Sequence, residues 1–308
     1  MIRALLYVLC AVFPMVTAAQ GLNVEVSPGK MTRIAKPGET FVQTLRIGNY
    51  ADTERTFHLS TADFVVEGET GAPTFTDGET HSRYALSSWM TLPQTTVTVP
   101  AGEVATVDVT VTVPDDALPG GHYGAVFVQT DDPSLTQRQE GSVIGAIGRI
   151  ASLFLVTVPG DVAESVVVER FAPERTVYWS AHPTVQLTTV LRNEGTVHAI
   201  PTGAMFVSGG LAYRGQSIMF NTQQGAVMPD APPRVLQESF TPRAHALLPP
   251  MGRFRVQLVA KYGLSAQTLS AETVFYIIPV KVLVVLFFAA LLVVVIVYRA
   301  ALSFRSRT

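Results

Sequence analysis

Six histidines, one cysteine and a few acidic pairs are the residues of this 308-residue chain whose types could do chemistry. His58, His81, His122, His182, His198 and His245 could ligate zinc or move protons, but no two stand four apart, as a helical zinc pair requires. His122, beside Tyr123, reads as a turn residue and not as a ligand. Asp115-Asp116 and Asp131-Asp132 could flank a calcium ion, yet each lies in a proline-containing turn, where Asp is favoured because its side chain bonds the local backbone. The nucleophile elbow Gly-x-Ser-x-Gly, the phosphate-binding glycine patterns and the acidic calcium loop do not occur. Cys10 stands alone, so the chain can form no internal disulfide and no multi-cysteine metal cluster. Leu92-Pro93-Gln94-Thr95 is close to a sortase signal, but Thr96 replaces the required Gly and the string lies mid-chain. The expectation is a protein that is not an enzyme and carries neither cofactor nor metal.

With chemistry set aside, the elements at the two ends say where the chain sits. It is 48% hydrophobic and only 15% charged, against about 25% charged in average chains. Residues 1–19 read as a signal peptide: Arg3 supplies the positive charge, Ala4 to Phe13 the apolar stretch, and Thr17-Ala18-Ala19 the small residues before cleavage. Tyr7 and Leu9 do not fit a lipoprotein site at Cys10. Near the other end, Val282 to Tyr298 is an uncharged run spanning about 26 Å as a helix. Residues 279–298 are therefore expected to be a transmembrane helix, with Pro279 in the first turn and Lys281 reaching back to the interface. Arg299, Arg305 and Arg307 in the tail 299–308 have no acidic neighbour, so positive-inside logic places the C-terminus in the cytoplasm. Everything between the two segments then lies outside it.

Between the ends the chain alternates in the strand period, as in Thr106 to Val113, Val185 to Val190 and Phe254 to Val259. Turn signals interrupt it at Lys36-Pro37-Gly38, Pro100-Ala101-Gly102, Pro119-Gly120-Gly121, Gly209-Gly210 and Pro249-Pro250. The strand ending in Asn49 is echoed by the strand ending in Asn193. Leu118 to Tyr123 is echoed by Leu248 to Phe254. The expected fold is mainly β: two tandem immunoglobulin-like β-sandwiches, residues 20–160 and 161–278, followed by one transmembrane α-helix. Tyr123 stands where such sandwiches keep a tyrosine corner, and Trp89 is expected in the first core. Trp179 adjoins a turn at His182-Pro183 and is expected to be part-exposed, with a core role still set ahead of sugar stacking by Tyr178 and Trp179. Leu22 to Pro28 is a candidate edge strand.

Charge is uneven. Residues 20–160 carry 8 Lys/Arg against 16 Asp/Glu, net −8, and residues 161–280 carry 9 against 8, net +1. Nucleic acid is not an expected partner, and the acidic half does not suit an anionic surface.

The order of features resembles the WxL-interacting proteins of bacterial surfaces. The resemblance is carried by Ser27-Pro28, Lys36-Pro37-Gly38-Glu39, Ile47-Gly48-Asn49, Ser88-Trp89, and Val113 to Ala117 running into Gly120-Gly121-His122-Tyr123. In the second half it is carried by Arg192 to His198, Pro201-Thr202-Gly203, Tyr262-Gly263 and Phe275 to Pro279. It implies a peptidoglycan-binding-type domain, a host-binding-type domain and a membrane anchor. The implied role is non-catalytic scaffolding of cell wall or envelope proteins. It identifies no ligand-contacting residue. Periplasmic pilus chaperones share the two-domain plan but are soluble and carry an Asp-Arg-Glu-Ser-type signature, where this chain reads Asp115-Asp116-Ala117-Leu118-Pro119. A chaperone-like accessory subunit of a membrane secretion or pilus assembly is accordingly the second reading.

Overall fold

Along Val104 to Thr112 the alternation of the sequence is the alternation of the fold: Val107, Val109 and Val111 are buried, while Thr106, Asp108 and Thr112 face water. The computed structural model describes residues 23–76, 82–130, 148–244 and 248–305. The signal segment, His81, His245, Asp131-Asp132 and Arg307 lie outside them. In chain order the first strands are β1 (Val24–Ser27), β2 (Lys30–Ile34), β3 (Thr40–Asn49), β4 (Arg55–Val66) and β5 (Pro73–Thr76). They are followed by β6 (Met90–Thr91), β7 (Thr96–Val99), β8 (Val104–Thr112), β9 (Gly120–Thr130) and β10 (Gly148–Val158). Then come β11 (Val166–Pro173), β12 (Val177–Tyr178), β13 (Val185–Asn193), β14 (Thr202–Leu211) and β15 (Gln216–Phe220). The last are β16 (Arg234–Phe240), β17 (Met251–Tyr262), β18 (Gln267–Ile277) and the helix α1 (Val280–Arg305).

The first sandwich pairs the sheet β1-β3-β8-β6 with the sheet β2-β10-β9-β4-β5, to which β7 adds on β4. Strand β1 is an edge, paired only with β3. After Pro28 and Gly29 the chain crosses to the facing sheet, where β2 runs parallel to β10. The second sandwich pairs β11-β13-β16 with β12-β18-β17-β14-β15. Its core is built on Phe220, Phe254 and Phe275, the last two stacked at 5.1 Å.

Two turn signals prove to be strand. Gly209 and Gly210 lie inside β14 at a bulge, and the Phe254 ring fills the space a side chain on Gly210 would occupy. Gly120 and Gly121 begin β9, so His122 is also a strand residue.

Helix α1 follows β18 after only Ile278 and Pro279. Its Val280–Arg299 segment, of mean hydropathy 3.3, is long and apolar enough to cross a membrane, and Lys281 and Arg299 bracket it. The architecture is therefore two Ig-like sheet pairs and one long apolar helix.

Candidate functional site at the junction of the sandwiches

Strand β9 does not alternate: nearly every residue from Gly120 to Thr130 is buried, because one face meets the first core while the other is covered by the second sandwich around Tyr123 and by Phe75 and Arg149 at Phe127. The covering element is the connection between β15 and β16. Asn221 shapes it, accepting a bond from the Gly225 amide at 2.7 Å and donating to the carbonyls of Gly225 at 2.9 Å and Pro201 at 2.8 Å. Asn221, Gln224 and Asp230 all take left-handed backbone angles, with φ of 54°, 52° and 50°. Asn and Asp tolerate that region best among residues with a side chain. The loop so bent lays Met228 on Phe64, Tyr123 and Leu155 of the first sandwich.

Hydrogen bonds close the seam around this apolar patch. The Tyr84 hydroxyl donates to Asp230 at 2.7 Å. The Val235 amide donates to the Glu69 carbonyl at 2.8 Å, the Gly121 amide to the Thr196 carbonyl at 3.0 Å, and Lys30 Nζ to the Gln224 carbonyl at 2.5 Å. Burial and the bond to Asp230 push the Tyr84 hydroxyl up to about 12, so it remains a donor throughout the physiological range.

Two cations sit in the seam without a carboxylate partner among the described residues. Lys30 from β2 and Arg234 from β16 share a cavity of about 190 Å³ whose walls include Phe64, Val66, Leu155 and Met228. Burial, and then repulsion from Arg234, lowers the Lys30 amine; burial lowers the Arg234 guanidinium. The guanidinium lies where side chains on Gly71 and Gly225 would be, and its Nε is sealed from water without a partner. Glu69 and Glu238 line the next cavity along with Arg234. Glu238 is engaged by the Asn221 amide at 3.0 Å. Among the described residues neither cation has an ion pair. Two like charges held side by side against apolar walls are costly unless an anion joins them. Chemically the cavity presents two cationic groups against apolar walls.

A third basic group lies close by. His198 meets Tyr123 edge on, its Nδ1 is sealed and unpartnered, and burial together with Lys30 lowers it to about 4. It is neutral at physiological pH.

The residues singled out from sequence are dispersed around this seam. Tyr123 is in it, but its hydroxyl faces the His198 backbone without a bond of good geometry and does not tie back to the preceding connection. Trp89 packs on the first core and against His122 at 4.3 Å. The two ring nitrogens of His122 face the carbonyls of Ala85 and Leu118 at 3.2 and 3.0 Å, and burial lowers its pKa. Asn49 and Asn193 are strand-end clasps away from the cation pair. Lys281, Arg299 and Arg305 belong to α1. Lys30, Arg234, Met228 and Asp230 were not legible, since each is a single residue in an ordinary strand or turn. Among the described residues no catalytic constellation is assembled, and no group of three or more His, Cys, Asp or Glu could hold a metal.

The Fn3-like domain family matches residues 33–134. Among curated proteins none matches the chain. Solved structures that it matches include the class 5 fimbrial chaperone CfaA, at 15% identity over 82% of this chain and 99% of that one, TM-score 0.39. A CFA/I chaperone–tip adhesin complex matches at 13% over 82% and 98%, TM-score 0.39. The CsuC–CsuE chaperone–tip pre-assembly complex of Acinetobacter baumannii matches at 10% over 81% and 97%, TM-score 0.38. The expectation of a WxL-interacting protein is thereby corrected: the solved structures it matches include several pilus or fimbrial chaperones, and none of those named is a protein of that surface family. Its residues have packing roles instead: Asn49 and Asn193 close strand ends, and Gly121 and Tyr123 meet the second sandwich.

Proposed function

We propose that this chain is a non-catalytic envelope protein, tethered by α1, that holds a second polypeptide through an acidic group at the junction of its sandwiches. The pair Lys30 and Arg234 carries the reading. Each is partly withdrawn from water, both line one cavity, and neither has a carboxylate among the described residues. Two like charges partly withdrawn from water cost stability without a counter-ion, so their presence finds its reason in a ligand. The tail of Arg299, Arg305 and Arg307 supports a cytoplasmic C-terminus, with both sandwiches and the partner on the other side. The role is that of an accessory subunit in a secretion or pilus-type assembly. Fimbrial chaperones are described in complexes with tip adhesins, and the present reading shares with them the holding of another chain. Binding to peptidoglycan rested on the corrected resemblance and is not part of it.

Full-length protein in lipid nanodiscs, offered envelope polypeptides in one arm and purified peptidoglycan in the other, tests the proposal. Retention of a polypeptide that weakens as salt rises is expected. Retention of peptidoglycan alone would overturn it.

A further inference from the structure

The end of the second sandwich nearest α1 carries exposed apolar and basic side chains. The strand registers bring this end together. Strand β12 runs parallel to β18, with Tyr178 beside Ile277, and the Ile278 amide donates to the Tyr178 carbonyl at 2.8 Å. The chain therefore leaves β12 at Trp179 on the helix side. On the other flank of β18, Ile277 pairs with Gly252, and the adjoining Met251 pairs with Leu211 at the end of β14. Trp179 is 62% exposed, Leu211 63%, Tyr276 39% and Leu248 37%.

These exposures are not scattered. Tyr276 is on the outer face of β18, between the fully buried Phe275 and Ile277, and pairs with the exposed Arg253. The described connections at this end, residues 179–184, 211–215, 241–244 and 248–250, include Arg214 and Arg243 and contain no Asp or Glu. The acidic charge of the chain is concentrated in the other sandwich. Only Ile278 and Pro279 separate β18 from α1, and two extended residues reach about 7 Å. A helix that starts so close to the sheet leaves no room for a water layer of many ångströms between the sandwich end and the bilayer that receives it.

We propose that this rim docks on the phospholipid surface around α1, with Trp179 and Leu211 entering the headgroup–acyl boundary and the arginines meeting lipid phosphates. Trp and Tyr favour that boundary because their rings are apolar with one polar atom. The consequence is a sandwich pair held at a fixed attitude to the membrane, not swinging on a tether. The inference rests on α1 spanning the bilayer, as read above.

The chain has two tryptophans, Trp89 and Trp179, which makes the test direct. Full-length protein carrying Trp89→Phe is placed in nanodiscs of plain lipid and of lipid brominated on the upper acyl chain. Trp179 emission is expected to fall roughly twofold in the brominated discs, as for a ring at the boundary, and Leu211→Asp should restore it. The unmodified chain compared with Trp179→Phe gives the same difference without touching Trp89. Failure of the full chain to enter discs would remove the span on which the proposal rests. Entry with equal Trp179 emission in both lipids would overturn the docking alone, as would equal quenching of Trp89.

Discussion

The rings of Tyr123 and His198 meet at 5.6 Å with their planes 76° apart, one ring from each sandwich. Neither the Tyr123 hydroxyl nor His198 Nδ1 finds a hydrogen-bond partner. The contact is thus held by shape and exclusion of water, and it is sensitive to any charge placed on the imidazole.

Acid should loosen the junction. His198 titrates at about 4 in the folded chain, against 6.5 for the free side chain. Between those values the unfolded chain binds a proton that the folded chain refuses, so stability falls as pH drops through this window and levels off below it. The full effect is about 3 kcal/mol. Thermal melting from pH 7 to 4 should show the decline, and His198→Phe should flatten this part of it. Parallel curves for the two proteins would remove the assignment.

Asn49 and Asn193 perform the same task in the two sandwiches. Each side-chain oxygen accepts from the amide two residues on, at 3.2 Å in Ala51 and 2.8 Å in Gly195. Each amide group donates to the carbonyl four residues on, at 2.8 Å in Thr53 and 2.7 Å in Val197. It also reaches a distant carbonyl, Val99 at 3.0 Å or Val227 at 2.8 Å. Alanine at either site should cost about 1–3 kcal/mol for each carbonyl left buried without a donor. Because Val227 adjoins Met228, Asn193→Ala should also weaken the junction. Equal partner binding by Asn49→Ala and Asn193→Ala, at matched stability, would contradict that link.

Met228 is the apolar plug of the seam. Met228→Ala should cost about 2–5 kcal/mol, the range for emptying a packed site. Denaturant unfolding measures it, and a loss below about 0.5 kcal/mol would mean the patch contributes nothing to cohesion.

Gly71 has φ of 68° and lies against the Arg234 guanidinium, so an added methyl would meet it at 1.0 Å. Gly71→Ala should destabilise the fold both by backbone strain and by displacing Arg234. Adding Arg234→Met should recover part of the loss. Strictly additive melting shifts would show that the two positions do not touch in solution.

How far the sequence carried the fold depends on which surfaces are one-sided. Strand β8 has one face in the core and one in water, so its Val and Thr alternate and announce it. Strand β9 is covered on both faces, and its run His122 to Val128 has no polar alternation to read. The echo of Asn49 in Asn193 was visible because the clasp is local. The junction was not, because it joins Lys30, Phe64 and Tyr123 to Met228 and Arg234 through a loop whose left-handed turns fall on Asn221, Gln224 and Asp230 instead of glycine. The glycines of the bulge in β14 misled for the opposite reason: they make room for Phe254 within a strand.

The central claim is that Lys30 and Arg234 are kept for a ligand and not for the fold. Arg234→Met in the full-length chain separates the two roles, because it removes a desolvated charge while preserving an unbranched side chain along Gly71 and Gly225. Melting temperature and affinity for the retained polypeptide are measured on the same preparation. The account predicts an unchanged or higher melting temperature together with an affinity at least about tenfold weaker, as expected when a buried charge pair is broken. A variant that melts lower yet binds its partner as tightly as the unaltered chain would contradict it.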